Sequence, residues 1–343
     1  MNGPDVHIRS VGTALPGPPV DNAALTHRFH MSPVWEQWID TFIGTRTRHF
    51  SLDLETGELR YTLTDLGEAA SRRALTNAGL AAGEVDLMVM GTSTPDRLMP
   101  ATINMIAERL GIDGVPTYQL QSGCSGAVQA LDVAHQMLRS GRYRTALVLG
   151  ADSCAKHTDL SVNPNDLPTA EQVNGVLFGD GAGALVLSTE PAPGSVVVRH
   201  VFHRLVGLNR APGQIVEWFG RGDRDSGRQP LSEDYKAIEE SVPKMAVHIL
   251  NELLDELDWS EGDIDYLLPP QLSGRMTAHI AEILDLPGAR EITCVVETGN
   301  TGNALPFFQL EAALPQLTEG DRALGIAVES SKWIKAGFAL EKS

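Results

Sequence analysis

Three short segments in the first half of the chain recur in the second half at a nearly constant separation. Gly83-Glu-Val-Asp-Leu-Met resembles Gly262-Asp-Ile-Asp-Tyr-Leu, Ser122-Gly-Cys-Ser-Gly resembles Thr298-Gly-Asn-Thr-Gly, and Ala146-Leu-Val-Leu-Gly-Ala-Asp-Ser resembles Ala323-Leu-Gly-Ile-Ala-Val-Glu-Ser. The copies lie 176 to 179 residues apart, as from 124 to 300 and from 86 to 265. This regularity indicates a duplicated unit, which restricts the chain to folds in which both halves adopt one topology.

Each half alternates apolar runs of strand length with helical segments. In the first half, Val6 to Val11 and Val85 to Met90 are typical of strands, and Thr64 to Ala78 is typical of an amphipathic helix. Such alternation predicts an α/β layered fold. The segment Pro191-Ala-Pro-Gly is typical of a connection, so we predict an N-terminal half of residues 1–190 and a C-terminal half of residues 191–343.

Three stretches of the second half lead to more local predictions. Residues 208 to 230 are rich in Gly, Arg and Asp and are predicted to form a loop. Ser232 to Leu257 is helical in pattern, but Pro243 predicts a bend or a break within it. Ile292 to Val296 is predicted to be a strand.

Cys124 occupies a predicted strand-to-helix turn, between an apolar run at 115–120 and a helical segment at 127–138. A helix N-terminus offers unpaired N–H groups and positive potential, which lower the pKa of a thiol and favour the nucleophilic thiolate. The alternative is a small buried cysteine that only packs. If the halves pack about a pseudo-twofold axis, the repeat brings Asn300 near Cys124, and this pair is suited to holding a thioester carbonyl.

Composition argues against several classes of function. The chain of 343 residues is 42% hydrophobic and 21% charged, as is ordinary for a globular protein with a large core. Its formal net charge of −17 argues against nucleic acid or an anionic membrane as a partner. Three scattered cysteines do not suggest a disulfide framework or a zinc site. Because we find neither a signal-peptide pattern nor an apolar run of membrane length, we expect a cytoplasmic protein. No convergent set of metal-ligand side chains is visible in the sequence, so we expect no bound metal.

Four segments together resemble one known family. They are Trp38 to His49, Leu120 to Ala127 around the cysteine, Phe178-Gly-Asp-Gly-Ala-Gly-Ala184, and Gly299-Asn-Thr301. Along essentially its whole length, the chain is similar to thiolase-fold proteins of the ketoacyl-ACP synthase III group. The resemblance implies a thiolase-like duplicated fold, with two similar α/β halves in a five-layer αβαβα arrangement.

The resemblance also implies roles for residues at matching positions. Cys124 is acylated by acyl-CoA or by a phosphopantetheinyl acyl carrier protein, and Asn300 is the catalytic asparagine. The family's Pro-His-Gln-Ala-Asn pattern stands here as Pro269-Pro270-Gln271-Leu272-Ser273, so Pro270 replaces a histidine that supports decarboxylative condensation. Losing one such donor costs about 10²–10³ in rate. Gln271 is able to orient a substrate group but cannot accept a proton.

Further residues are implied to contact the substrate or a partner. Met99 reaches across a homodimer interface into the acyl pocket, and Trp38 lies at the mouth that receives the pantetheine or adenine end. Arg275 matches a basic position on the carrier-docking face, although Glu282 stands where lysine is usual. Phe42 replaces a common arginine near the nucleotide, which favours a protein-tethered acyl group over CoA. No tightly bound cofactor is implied.

Three functions are compatible with these features. The first is an acyltransferase that works through an acyl-Cys124 thioester and delivers to an O, N or C nucleophile in natural-product or polyketide biosynthesis. The second is a decarboxylative ketoacyl synthase that carries out a Claisen condensation with a relocated base. The third is a non-catalytic acyl-binding protein or heterodimer partner. Glu329 and His157 are candidate bases for a small-molecule acceptor.

Overall fold

The computed structural model describes residues 3–157, 162–167, 169–218, 227 and 231–343. The strands are β1 (His7–Ala14), β2 (Val20–Asp21), β3 (Thr47–Arg48), β4 (Leu87–Gly91), β5 (Thr117–Leu120), β6 (Thr145–Ser153), β7 (Asp180–Ser188), β8 (Val196–Leu205), β9 (Gln214–Val216), β10 (Leu231–Glu233), β11 (Tyr266–Leu268), β12 (Arg290–Glu291), β13 (Arg322–Glu329) and β14 (Ile334–Lys342). The helices are α1 (Asn22–Arg28), α2 (Pro33–Trp38), α3 (Leu63–Ala78), α4 (Thr102–Leu110), α5 (Gly126–Arg139), α6 (Thr169–Leu177), α7 (Tyr235–Leu257), α8 (Gly274–Leu284), α9 (Val295–Thr298) and α10 (Leu305–Ala313).

Ten of these strands form one mixed sheet, in the order β12-β11-β13-β14-β8-β1-β7-β6-β4-β5. The first five positions come from the second half of the chain and the last five from the first half. From the outer edge of the sheet to its centre, the five strands of each half follow the same order: third, second, fourth, fifth and first along that half of the chain. The repeat seen in the sequence is therefore a repeat of topology. The division at residue 190 falls between β7 and β8 and stays a prediction.

Helices pack on both faces of each half-sheet and give five layers. α3 and α4 cover one outer face, where Leu66 and Ile106 join a buried apolar cluster. α5 and α10 lie between the half-sheets, where Leu131 and Phe307 belong to a central cluster. α7 and α8 cover the other outer face through residues such as Ile249. Burying each such side chain contributes about 1.5–3 kcal/mol, and the predicted five-layer α/β arrangement is confirmed.

The predicted break at Pro243 is wrong, since α7 runs unbroken from Tyr235 to Leu257, and the alternative of a bend there stays a prediction. An internal proline costs a helix about 3 kcal/mol. Burial of Val242, Met245 and Ile249 against β13 and β14 offsets this cost. In the part of the chain that the structure describes, no helix is long and apolar enough to cross a bilayer.

Two other local predictions are wrong. Ile292 to Val296 is not a strand, because a short helix, α9, begins at Val295. Residues 208 to 230 are not wholly loop, since β9 pairs antiparallel with β10 and places Gln214 opposite Glu233; residues 219–226 and 228–230 lie outside the described residues. The second departure matters for function, because Gln214 of β9 lines the cavity that contains Cys124.

Candidate active site

A cavity of about 90 Å³ lies where residues from both halves of the chain meet. Its polar lining includes side chains from five separate parts of the chain: Cys124, Gln214, Glu233, Gln271 and Asn300. Its apolar lining includes Phe178, Ile238, Val242, Leu305 and Val328. A small, mainly apolar cavity with a few convergent polar groups is typical of a site for a small organic substrate.

The turn that carries Cys124 requires glycine at the preceding position. After β5 the chain makes a single 3₁₀ turn, Gly123–Ser125, and α5 begins at Gly126. Gly123 has φ +51°, in the left-handed region. A Cβ placed there would lie 1.8 Å from the Glu329 carboxylate. The backbone conformation and the packing therefore both require glycine at this position.

Replacing Gly123 with alanine is expected to destabilise the protein by about 1–3 kcal/mol, because left-handed backbone and steric overlap add together. The measurement is the denaturant midpoint at constant slope. Gly83→Ala is the matched control, since a Cβ there meets nothing within 4 Å, and we expect a change within about 0.5 kcal/mol. Equal midpoints for the two variants would contradict the steric argument.

Glu329 lies at the end of β13 and is fully buried against the cysteine turn. The backbone N–H of Cys124 donates to its Oε2, and the N–H of Ser331 donates to its Oε1 at 2.6 Å. Among the described residues, no lysine or arginine forms an ion pair with it. Burial therefore raises the pKa of Glu329, and nearby Asp152 raises it further. A carboxyl group with these properties is suited to accepting a proton.

Asp152 and Asn303 form the equivalent arrangement in the other half. The N–H of Asn303 donates to Asp152 Oδ2 at 2.9 Å. The preceding residue, Gly302, has φ +55°, and a Cβ on it would lie 2.3 Å from the same oxygen. The structural counterpart of Cys124 is thus Asn303, and the predicted pairing of Cys124 with Asn300 is three residues out of register.

Asn300 nevertheless lines the same cavity as Cys124. Its side-chain oxygen accepts the N–H of Gly302 at 3.0 Å, and its backbone bridges to Phe178. No described residue accepts a hydrogen bond from its amide nitrogen. Because the Cys124 N–H is already bound to Glu329, the Asn300 amide is an available donor for a thioester oxygen.

The electrostatic environment of Cys124 differs from the sequence-based expectation. Burial raises the pKa of the Cys124 thiol well above its ordinary value, and Glu329, Asp152 and Glu233 raise it further. The expected lowering of this pKa by the N-terminus of α5 is therefore wrong, because burial and then the three carboxylates disfavour the thiolate. Cys124 rests as a thiol, so its attack on a carbonyl needs a base to remove the proton.

Gln271 and Pro270 occupy adjacent positions of the wall with different consequences. The Gln271 oxygen accepts the N–H groups of Cys294 at 2.6 Å and Val295 at 2.8 Å. This side chain therefore caps α9, and its contact with a substrate stays a prediction. Pro270, where the resemblance expects histidine, lines the cavity without a side-chain donor or base.

The remaining predicted residues do not line the cavity within one chain. Met99 is 85% exposed, and Trp38 packs partly buried against the cluster around α2. Arg275 donates from Nε to the backbone oxygen of Thr41 at 2.8 Å. His157 also lies outside the lining. The roles of Met99, Trp38 and Arg275 stay predictions, and among the described residues no side-chain cluster is suited to a metal.

Sequence reasoning missed the polar pair Gln214 and Glu233. The two residues are opposite each other in the β9–β10 register, and the Gln214 amide donates to Glu233 Oε1. Each strand has only three residues, so neither has the periodicity that would have revealed it.

Comparison with known proteins defines the class to which this site belongs. Residues 118–204 match the family model of 3-oxoacyl-[acyl-carrier-protein (ACP)] synthase III, and residues 254–330 match the model of its C-terminal domain. The beta-ketoacyl-[acyl-carrier-protein] synthase III of Neisseria meningitidis serogroup C / serotype 2a is 32% identical over 299 residues, which is 87% of this chain and 86% of the relative. The chain belongs to the 3-oxoacyl-ACP synthase III family, with its thiolase-like fold, and is a transferase of the acyl-transferring or condensing type.

Solved structures refine the comparison. A structure described as "AbyA1 - tetronic acid condensing enzyme" is 59% identical, with a TM-score of 0.95, and the match covers 98% of this chain and 99% of that one. The priming beta-ketosynthase from the R1128 polyketide biosynthetic pathway is 26% identical, with a TM-score of 0.82, and the match covers 99% and 97% of the two chains. The family predicted from the sequence is confirmed.

Proposed function

We propose that the protein loads an acyl group from a thioester donor onto Cys124 and transfers it to a carbon or oxygen nucleophile without releasing carbon dioxide. The observation that carries this proposal is one cavity wall that contains Cys124, Asn300 and Pro270, with the buried carboxylate of Glu329 against the cysteine turn.

Loading on Cys124 uses Glu329, which accepts the Cys124 N–H, and Asn300, which lines the same cavity. Glu329 takes the thiol proton as the sulfur attacks the donor carbonyl, and the Asn300 amide donates to the carbonyl oxygen. The new C–S bond forms, the donor C–S bond breaks, and the departing thiolate takes the proton from Glu329. The donor is acyl-CoA or an acyl carrier protein. Phe42, which is 65% exposed, stands where the family commonly has an arginine near the nucleotide of CoA, and this favours the carrier protein.

Pro270 argues against decarboxylative condensation as the second step. Decarboxylation develops an enolate, and a missing donor to that oxygen costs about 10²–10³ in rate. Proline has no side-chain donor. A hydroxyl nucleophile develops no enolate, and a methylene between two carbonyls spreads its charge over both oxygens, so both depend less on the missing donor.

A tetronic acid, the product class in the name of the 59% identical protein, fits this restriction. Its five-membered lactone ring follows from a β-ketoacyl thioester and an α-hydroxyacyl thioester. One C–C bond forms between the activated methylene and an acyl carbonyl, and one C–O bond forms between the hydroxyl and the other carbonyl. Each step releases a thiol and neither releases carbon dioxide. We infer that this chain carries out a condensation of this kind.

A homodimer accompanies this proposal. Leu98 and Met99 are exposed apolar side chains, and half-exposed Tyr118 lies on β5, the strand at one edge of the sheet. An unpaired edge strand beside an apolar patch is suited to pairing with a second copy. Met99 would then reach the partner's cavity.

Intact-mass measurement with a panel of acyl-CoA and acyl carrier protein donors tests the proposed function. We expect an acyl adduct on Cys124, and discharge to a hydroxyl or carbon acceptor with no carbon dioxide released from malonyl donors. Pro270→His is the matched comparison, and we expect it to increase decarboxylation by about 10²-fold. Absence of an adduct with every donor would leave a non-catalytic acyl-binding role, and decarboxylation by the unaltered protein would favour a relocated base.

A further inference from the structure

One part of the cavity wall carries polar groups that loading does not use. β9 contributes Gln214, β10 contributes Glu233, and the start of α7 contributes Tyr235. The Tyr235 hydroxyl donates to the side-chain oxygen of Asn174 at 2.5 Å. These side chains lie far from Cys124 in sequence but line the same cavity.

Glu233 has one occupied oxygen and one free oxygen. Its Oε1 accepts from the Gln214 amide. Its Oε2 is buried, and no described residue forms a well-aligned hydrogen bond with it, although the Tyr235 hydroxyl and the Asn174 side chain lie close enough to oppose the effect of burial on the pKa of Glu233. A buried acceptor without a partner is unfavourable by about 1–3 kcal/mol, so this oxygen is available to a donor that a bound molecule brings.

The surroundings restrict what that donor can be. Neighbouring wall residues such as Ile238 and Val242 are apolar and form no hydrogen bonds with a bound molecule through their side chains. Burial raises the pKa of Glu233, which disfavours strong pairing with a cation and favours a neutral donor. The reactive part of an acyl thioester is itself only an acceptor, so the partner must be a substituent such as a hydroxyl.

We propose that Glu233 binds the hydroxyl group of a hydroxyacyl thioester and takes its proton when that oxygen attacks a thioester carbonyl. This inference rests on the proposed function. In this step the O–H bond breaks, the C–O bond forms and the C–S bond breaks. The departing thiolate then takes the proton from Glu233.

Glu329 does not provide this group. Both of its oxygens accept backbone N–H groups, and it is fully buried outside the cavity lining. Glu233 lines the cavity with an oxygen free. The two carboxylates are therefore assigned to different protons: Glu329 to the thiol and Glu233 to the acceptor hydroxyl.

A binding experiment tests the inference independently of acyl loading. In a Cys124→Ala background, calorimetry compares 2-hydroxypropanoyl pantetheine with propanoyl pantetheine. We expect the hydroxylated thioester to bind about tenfold more tightly or better, and Glu233→Ala to remove this preference. An equal preference with and without Glu233 would overturn the inference, whether or not the proposed function holds.

A kinetic experiment tests proton transfer. In Glu233→Gln we expect discharge to the hydroxyl acceptor to slow by about 10²–10⁴, while loading of Cys124 does not slow, because removing the Glu233 charge favours the Cys124 thiolate. Discharge to hydroxylamine, which needs no base, should be unchanged, and this separates a lost base from a distorted cavity. Glu239→Gln, on the exposed side of α7, is the matched control. Discharge of Glu233→Gln to the hydroxyl acceptor at the normal rate would overturn the inference.

Discussion

Replacing Cys124 with alanine is expected to eliminate the acyl adduct and to lower transfer by on the order of 10⁴–10⁶, as for the loss of other covalent nucleophiles. The physical reason is that Cys124 is the cysteine that lines the cavity among the described residues. Intact-mass spectrometry and the rate of thiol release from the donor measure the two effects.

Cys154→Ala provides the control for this prediction. Cys154 is also a free thiol whose pKa is raised by burial and by nearby carboxylates, but it does not line the cavity. Its replacement should leave the adduct in place. An adduct that survives in Cys124→Ala and disappears in Cys154→Ala would contradict the assignment of the nucleophile.

Glu329→Gln is expected to slow the loading of Cys124 by about 10²–10⁴, the usual contribution of a positioned base. Its pH dependence identifies the role. A carboxylate is active when deprotonated, and burial raises the pKa of Glu329 above its ordinary value of 4.5. Loading should therefore rise with pH through a midpoint above 4.5 and fall as the group is protonated. The substitution should remove this fall of the loading rate at low pH, the acidic limb of the pH profile.

Asp152→Asn is the matched control, because Asp152 holds the equivalent turn in the other half. Its pKa is also raised by burial, but it accepts the N–H of Asn303 rather than that of Cys124. We expect lower stability with the acidic limb intact. Rates of loading measured from pH 4 to 8 on both variants decide the matter, and an unchanged limb in Glu329→Gln would exclude Glu329 as the base.

The sequence alone predicts the duplicated fold and the meeting of Cys124 and Asn300 at one cavity. It predicts them because apolar alternation and repeated segments report topology directly. It pairs Cys124 with the wrong counterpart, because matching letters do not show which backbone N–H the carboxylate of the other half accepts. Asp152 accepts the N–H of Asn303 as Glu329 accepts that of Cys124, so Asn303 is the true equivalent.

The sequence cannot predict the electrostatics of the site for a related reason. The pKa of Cys124 depends on Glu329 and Glu233, which are distant along the chain and become neighbours only through folding. A helix N-terminus is visible locally and suggests a thiolate. The folded environment reverses that expectation.

The two carboxylate turns show what duplication makes available to an enzyme. Asp152 and Glu329 each anchor a backbone N–H after a left-handed glycine. Asp152 also accepts from the Ser93 N–H and the Asn303 side chain, so its oxygens are committed to holding the architecture. Glu329 holds only its own turn and that of Cys124. One copy thus preserves the framework, which leaves the other copy free to change its chemistry during evolution without loss of the fold.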